Sequence, residues 1–189
     1  MPSECLGETT TTTTTKVAAP ARPNIANTFE ARVDVEAHEG SGPAIFGEGF
    51  FAAIEADNKA VERYDLHPRQ YHVRHELFLQ RYDLSKEYFL SSEDMRDCHE
   101  RKVEGKLPPA WSWVANASYA GEVKHHEVTL DAWEARIGGE RIAVAVSKDD
   151  PNMPVFFERE SVHSKVINRF VYFNATTPRS SFFNVPQGE

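Results

Sequence analysis

Three short runs hold the side chains best suited to chemistry: His72-Val-Arg-His75-Glu76, His125-His126-Glu127 and Cys98-His99. On a helix, His72 and His75 would share a face and could hold a metal. On a strand they point to opposite faces. The residues around them read as strand, so no metal is expected there. His125-His126-Glu127 fails for the same reason, and it lacks the His-Glu-x-x-His spacing. A catalytic thiol at Cys98 needs a base brought close in space and a lowered pKa, and a strand turns His99 away from it. No Gly-x-Ser-x-Gly elbow, phosphate-cradling loop or dinucleotide fingerprint is present. The expectation is a protein that is not an enzyme. The alternative is a His-dependent enzyme using His72, His75 and either Glu76 or Cys98.

Carboxylates gather at Glu93, Asp94 and Asp97, and at Asp149 and Asp150 beside Asn152. Oxygen ligands of this kind suit calcium, but neither stretch has the spaced ligands and glycine of an EF-hand loop. Solvated acidic turns are the expected reading, and no metal ligand is assigned. Asn116-Ala-Ser118 and Asn174-Ala-Thr176 match glycosylation sequons, which matter only in a secretory compartment. The aromatic residues are more telling. Phe46, Phe50, Phe78, Phe89, Trp111, Trp113, Trp133, Phe156, Phe170 and Tyr172 exceed what one flat sandwich needs. Most must form an ordinary core. The rest could line a concave pocket, and strand alternation offers Phe46, Phe50 and Trp133 as candidates.

The elements that must position these residues are strands. Phe29, Ala31, Val33, Val35 and Ala37 alternate with polar residues, as in a strand with one wet face. Ile45 to Ala56 follows, with Gly47 and Gly49 marking a bulge or bend. Asp57-Asn58-Lys59 turns the chain and Ala60 to Leu66 returns as a hairpin. Further strands are expected at Val73–Tyr82, Glu87–Leu90, Met95–Val103, Trp113–Val123, Val128–Ile137, Ile142–Val146, Val155–Glu160 and Arg169–Asn174. Gly138-Gly139 makes a tight turn, and Pro108-Pro109 breaks the chain midway. Helix remains an alternative at Pro109–Ala120 and at Ser92–Val103, though neither carries an apolar stripe. The total is about 10–11 short strands, the cue for a sandwich or barrel. Residues 1–27, with Thr9 to Thr15, Pro20 and Pro23, have little to bury and are expected to form a disordered tail. The folded domain is expected over residues 28–189.

The formal charge of −8 in 189 residues argues against a nucleic-acid partner, which needs a basic patch. It equally disfavours docking on an anionic membrane, and no stretch reaches the length of a membrane span. No disulfide is expected between Cys5, in the tail, and Cys98. Residues 1–16 hold no apolar run of leader length, from which a cytoplasmic location is expected.

Taken in order, several runs resemble the ependymin-related proteins. Gly47-Glu-Gly-Phe50-Phe-Ala-Ala-Ile54-Glu-Ala-Asp57-Asn58-Lys59-Ala-Val61 is similar to that family's strand–turn–strand hairpin. His75-Glu-Leu77-Phe78-Leu79 with Lys86-Glu-Tyr88-Phe89 resembles its next hairpin. Cys98 before Leu107-Pro108-Pro109, Tyr119-Ala-Gly121 before Val128 to Trp133, Asn152-Met153-Pro154-Val155 and Phe182-Phe183-Asn-Val-Pro186 follow in the family's order. The resemblance spans about residues 29–188. It implies an all-β fold similar to LolA-type carriers: curved antiparallel sheets, as a half-barrel or sandwich, around a hydrophobic pocket. It also implies binding of a lipid, fatty acid or other hydrophobic small molecule, a homodimer, calcium binding, and secretion as the alternative location; no other cofactor is expected. Asn152 stands where the family has cysteine, and Gln187-Gly188-Glu189 ends the chain near another expected cysteine. Cys98 is thereby left without its usual partner, which implies an unbridged relative. A third expectation is an interaction protein working through sheet edges or the tail.

Overall fold

A computed structural model describes residues 19–69, 72–92 and 98–185. The chain forms eleven strands: β1 (Phe29–Glu39), β2 (Ile45–Ile54), β3 (Lys59–Arg69), β4 (His72–Arg81), β5 (Lys86–Ser92), β6 (Cys98–Lys102), β7 (Ser118–His125), β8 (Val128–Ile137), β9 (Glu140–Ser147), β10 (Pro154–Glu160) and β11 (Ser164–Asn174). They make one open antiparallel sheet in the order β6-β5-β4-β3-β2-β1-β11-β10-β9-β8-β7. Two meanders therefore run outward from a central β1–β11 pair, and each meander step is a short hairpin. The turns follow from local chemistry. Gly138 and Gly139 have φ of +58° and +88°, the two positive angles of a type I′ turn. Asn58 has φ +53°, and its side-chain Oδ1 accepts a hydrogen bond from the Leu107 amide at 3.2 Å.

The sheet is strongly curved. Its inner face carries Phe29, Ala31, Val33 and Val35 of β1, all buried. Val33 and Val35 stand opposite Gly49 and Gly47 of β2. A Cβ on Gly47 would lie 2.2 Å from the Asp65 carbonyl oxygen and 2.9 Å from the Leu66 Cα. Glycine there lets β3 fold inward over β2. The pairing of β2 with both neighbours continues through these positions without a register shift, so the expected bend is present without a bulge. The same curvature brings β10 to β3, although four strand spacings (about 19 Å along the sheet) separate them. Arg159 Nη2 donates to Glu62 Oε1 at 2.9 Å across that gap.

The inner face is partly filled by the connection between the meanders. Residues 103–117 cross it and insert Trp111, Val114 and Ala117 into a core with Phe29, Phe51, Val144 and Phe157. The sequence pattern expects a strand over Trp113–Val123, or a helix over Pro109–Ala120. The chain instead makes a 3₁₀ turn over Ser112–Asn116, and β7 begins only at Ser118. Trp111 and Val114 must both point into the core, which suits a 3.0-residue period better than strand alternation. At Met95–Val103 the described part is the strand Cys98–Lys102, and residues 95–97 lie outside the described residues.

The packed domain begins earlier than tail composition suggests. Ile25 is 3 % exposed in the core, and Asn27 Oδ1 accepts from the Trp111 amide at 2.8 Å. Arg22 Nη2 donates to the Ala117 carbonyl at 2.9 Å. Residues 1–18 of the expected tail lie outside the described residues. On the outer face, Ala52, Val61, Leu79 and Tyr88 form one cross-strand row. The C-terminal 3₁₀ turn Ser180–Phe183 covers it with Phe183.

An ionic network ties down the β6 edge. Glu87 on β5 is 3 % exposed. It accepts hydrogen bonds from Gln80 at 3.1 Å, Tyr82 at 3.2 Å and Arg101 Nε at 3.1 Å. Burial pushes its carboxyl up, but the bonds from Arg101, Gln80 and Tyr82 outweigh this and hold it below its ordinary 4.5. A folded pKa below the unfolded one gives stability that is full above the unfolded value and lost as pH falls through the folded one. Glu87→Gln is therefore expected to flatten the acid side of the stability–pH curve, read by urea unfolding from about pH 7 to about pH 3. An unchanged acid side would mean the network does not support the fold.

Candidate functional site

The crossing segment fills only part of the concave face. Among the described residues, two cavities lie on either side of one ion pair. The first, of about 310 Å³, lies between Leu107, Pro109, Trp111 and Trp113 of the crossing segment and Phe51, Ala53 and Ala60 of the sheet. The second, of about 450 Å³, has a floor of Val35, Ala37, Leu66 and Val166, with Phe78 and Phe89 along one wall. Both volumes fall in the range of small-molecule sites; apolar side chains predominate in the first lining, whereas half of the second lining is polar or charged.

Glu62 and Arg159 line both cavities. Glu62 Oε1 accepts from Arg159 at 2.9 Å, and its Oε2 accepts from the Tyr64 hydroxyl at 3.3 Å. The Arg159 guanidinium also sits 5.2 Å from the Phe157 ring centroid, a cation–π distance. Burial, reinforced by the Glu62 carboxylate, pushes the Tyr64 phenol well above its usual range, so it stays a neutral donor. The Arg159 guanidinium is raised chiefly by Glu62. These residues form a bar across the groove with both carboxylate oxygens used. At the far end of the second cavity, Arg74 Nη2 donates to Glu39 at 2.6 Å, and its Nε is 3.0 Å from Glu76. Asn168 on β11, which is not among the residues lining either cavity, is 1 % exposed, and its side-chain nitrogen and oxygen make no hydrogen bond. It stands opposite Val35 and Phe157 on the inner face.

The residues that strand alternation proposed for the pocket are not brought together. Phe46 is 58 % exposed and lies on the outer face of β2. Phe50, also on the outer face, packs on Phe182 with ring centroids 4.7 Å apart. Trp133 is on the inner face but buried in the core, 5.4 Å from the Tyr119 ring and 5.7 Å from the Arg22 guanidinium. Neighbouring Tyr119 donates to Asp131 at 2.9 Å, and burial with that carboxylate pushes its phenol up to about 12. None of Phe46, Phe50 and Trp133 is among the residues lining the two cavities. Sequence reasoning missed Glu62, Tyr64 and Arg159. Their signal was available: Glu62 shares alternation with Ala60, Tyr64 and Leu66, and Arg159 shares it with Phe157.

The expected chemistry candidates do not converge. His72 and His75 are both on strand β4, so they project to opposite faces. His75 Nδ1 lies 2.6 Å from Asp65 Oδ1. Cys98 and His99 lie on the exposed edge strand β6. The His125 imidazole meets the His126 ring edge-on at 4.4 Å; burial, then the His126 and Arg169 charges, lower its pKa. Among the described residues, no group of three or more His, Cys, Asp or Glu could hold a metal ion. Glu93, Asp94 and Asp97 lie outside them. In the β9–β10 turn, Asp150 accepts from the Asn152 amide at 3.1 Å, and the Asn152 side chain accepts from the Asn24 amide at 2.7 Å. Asn116 and Asn174 are both exposed. No described helix is long and apolar enough to cross a membrane.

No model of a known protein family matches the chain, and no curated protein matches it. Among solved structures it is similar to a LolA superfamily protein from Nitrosomonas europaea (TM-score 0.44, 5 % identity, covering 87 % of this chain and 93 % of that one). It is also similar to LprF from Mycobacterium bovis (TM-score 0.37, 10 % identity, 84 % and 89 % covered). A third likeness is to PNGF-II (TM-score 0.35, 7 % identity, 83 % of this chain and 30 % of that one). At these scores the likenesses concern general shape alone, and the cavities described above are features of this chain's own geometry.

Proposed function

We propose that this protein is a non-catalytic binder of a hydrophobic ligand, of the lipid or fatty-acid class, held on the concave face of its curved sheet. The observation that carries this reading is the pair of apolar-floored cavities flanking the Glu62–Arg159 bar. The driving force is removal of apolar surface from water, at about 25 cal/mol per Å². The ordered motifs from Gly47 to Val185 support a place among the ependymin-related proteins as part of the same proposal.

Trp111 and Trp113 line the first cavity, so their fluorescence reports occupancy. Long-chain amphiphiles are expected to change the emission saturably in the native chain. Ala60→Phe, which fills that cavity from β3, is expected to weaken this response by more than about tenfold while the protein still melts cooperatively. A variant that responds as the native chain does would argue against the site.

Calcium and self-association belong to the proposal as accessories. Calcium binding predicts a melting temperature that rises with added calcium and returns with chelator. A second reading, assembly through sheet edges, is favoured by the open sheet, whose terminal strand β6 is exposed at all five residues. Its His99, Glu100, Arg101 and Lys102 give that edge the charges that discourage strand addition. Light scattering across a concentration series distinguishes a monomer from a dimer.

A further inference from the structure

The charges around the second cavity narrow the ligand class. This step rests on the hydrophobic-ligand reading above. Three carboxylates (Glu39, Glu62 and Glu76) and two guanidiniums (Arg74 and Arg159) line it. Arg159 is held by Glu62. Arg74 is shared by Glu39 and Glu76. Each guanidinium thus has a carboxylate partner within the cavity, and the other basic side chain among the described lining residues, His38, lies 2.9 Å from Glu36. One carboxylate is in excess. The wall beside it is aromatic: Phe78 and Phe89 are cross-strand partners on β4 and β5, and Phe78 in turn stands opposite Glu62. Tyr64, opposite Glu76 on β3, completes the aromatic set.

An aromatic wall with surplus negative charge suits a cation. The ring faces attract positive charge, and the carboxylate excess adds to that attraction. A fatty-acid carboxylate in the same place would meet Glu39 and Glu76 and would have to break an existing Arg–Glu pair. We infer that the second cavity takes an amphiphile with a cationic, amine-type head group, its apolar chain on Val35, Ala37, Leu66 and Val166. Glu76 and Glu39 are the residues that set the preference.

The test is calorimetric titration with three decyl compounds: decyltrimethylammonium, decanol and decanoate. At pH 8 ordinary imidazoles are uncharged, so carboxylates and guanidiniums dominate the cavity. The ammonium compound is expected to bind at least about tenfold more tightly than decanoate. Glu76→Gln is expected to remove most of that preference while leaving decanol affinity unchanged. Glu39→Gln, at the exposed mouth, is a second variant with the same expectation. Ala60→Phe, which closes only the first cavity, is expected to leave ammonium binding intact. Decanoate binding as tightly as the ammonium compound would overturn the inference and leave the hydrophobic-ligand reading standing. Preference persisting in both glutamine variants, or ammonium binding lost in Ala60→Phe, would also overturn it. No binding of any of the three would overturn both readings.

Discussion

Trp111→Ala is expected to destabilise the protein by about 3–5 kcal/mol, the usual cost of deleting a buried tryptophan. That corresponds to a fall in melting temperature of roughly 10 °C for a chain of this length. The indole is 7 % exposed. Its ring centroid lies 5.6 Å from Phe157, 6.1 Å from Phe29 and 6.2 Å from Phe170. These partners sit on β10, β1 and β11, so one side chain joins both meanders through the crossing segment. Its backbone amide is also held by Asn27, so the variant should loosen the segment before β1. Trp113 is only partly buried, and Trp113→Ala is expected to cost clearly less. Urea unfolding measures both. A loss below about 1 kcal/mol for Trp111→Ala would show that the crossing segment is not part of the cooperative unit.

Gly47→Ala is the second large effect. The added methyl would meet the Asp65 carbonyl oxygen at 2.2 Å and the Leu66 Cα at 2.9 Å. Both are backbone atoms on the next strand, so relief requires β3 to move away from β2. Overpacking of this kind costs about 1–3 kcal/mol. Moving β3 also flattens the bend that brings Glu62 to Arg159, so ligand affinity should fall with stability. Gly49→Ala is the control. Its nearest contact is the Val33 Cγ2 at 2.7 Å, a side-chain methyl, and the nearest backbone atom is the Arg63 carbonyl oxygen at 3.3 Å, so a smaller displacement of β3 and a smaller cost are expected. Equal melting temperatures for the two variants would argue against close approach as the reason for glycine at position 47.

These two sites show what a one-dimensional reading could and could not reach. The alternation in β1 was legible because one face of that strand is core and the other carries Arg32, Asp34 and Glu36. Gly138-Gly139 was legible because Gly-Gly, like Asn-Gly and Asp-Gly, readily takes two positive φ angles in a two-residue hairpin. In β2 both faces are apolar, since Phe51 and Ala53 face the core while Ala52 and Ile54 lie under the C-terminal turn. Alternation therefore lost its sign there, and Phe46 and Phe50 could not be told from Phe51. The inner face of β2 is marked by Gly47 and Gly49 instead, where curvature demanded small residues. The Pro108-Pro109 break was visible, but the position of Trp111 on the concave face depends on partners far along the chain. The Glu62–Arg159 bar joins residues 97 positions apart. Only the curvature of the whole sheet brings them together, and no local pattern encodes that meeting.

Native mass spectrometry of the gently purified protein, paired with analysis of its organic extract, tests the central claim most directly. The account predicts one apolar or amphiphilic molecule held per chain, released into the extract, and taken up again when the stripped protein is offered it. A chain that carries no such molecule, and that shows no uptake when titrated with long-chain amphiphiles, would contradict it.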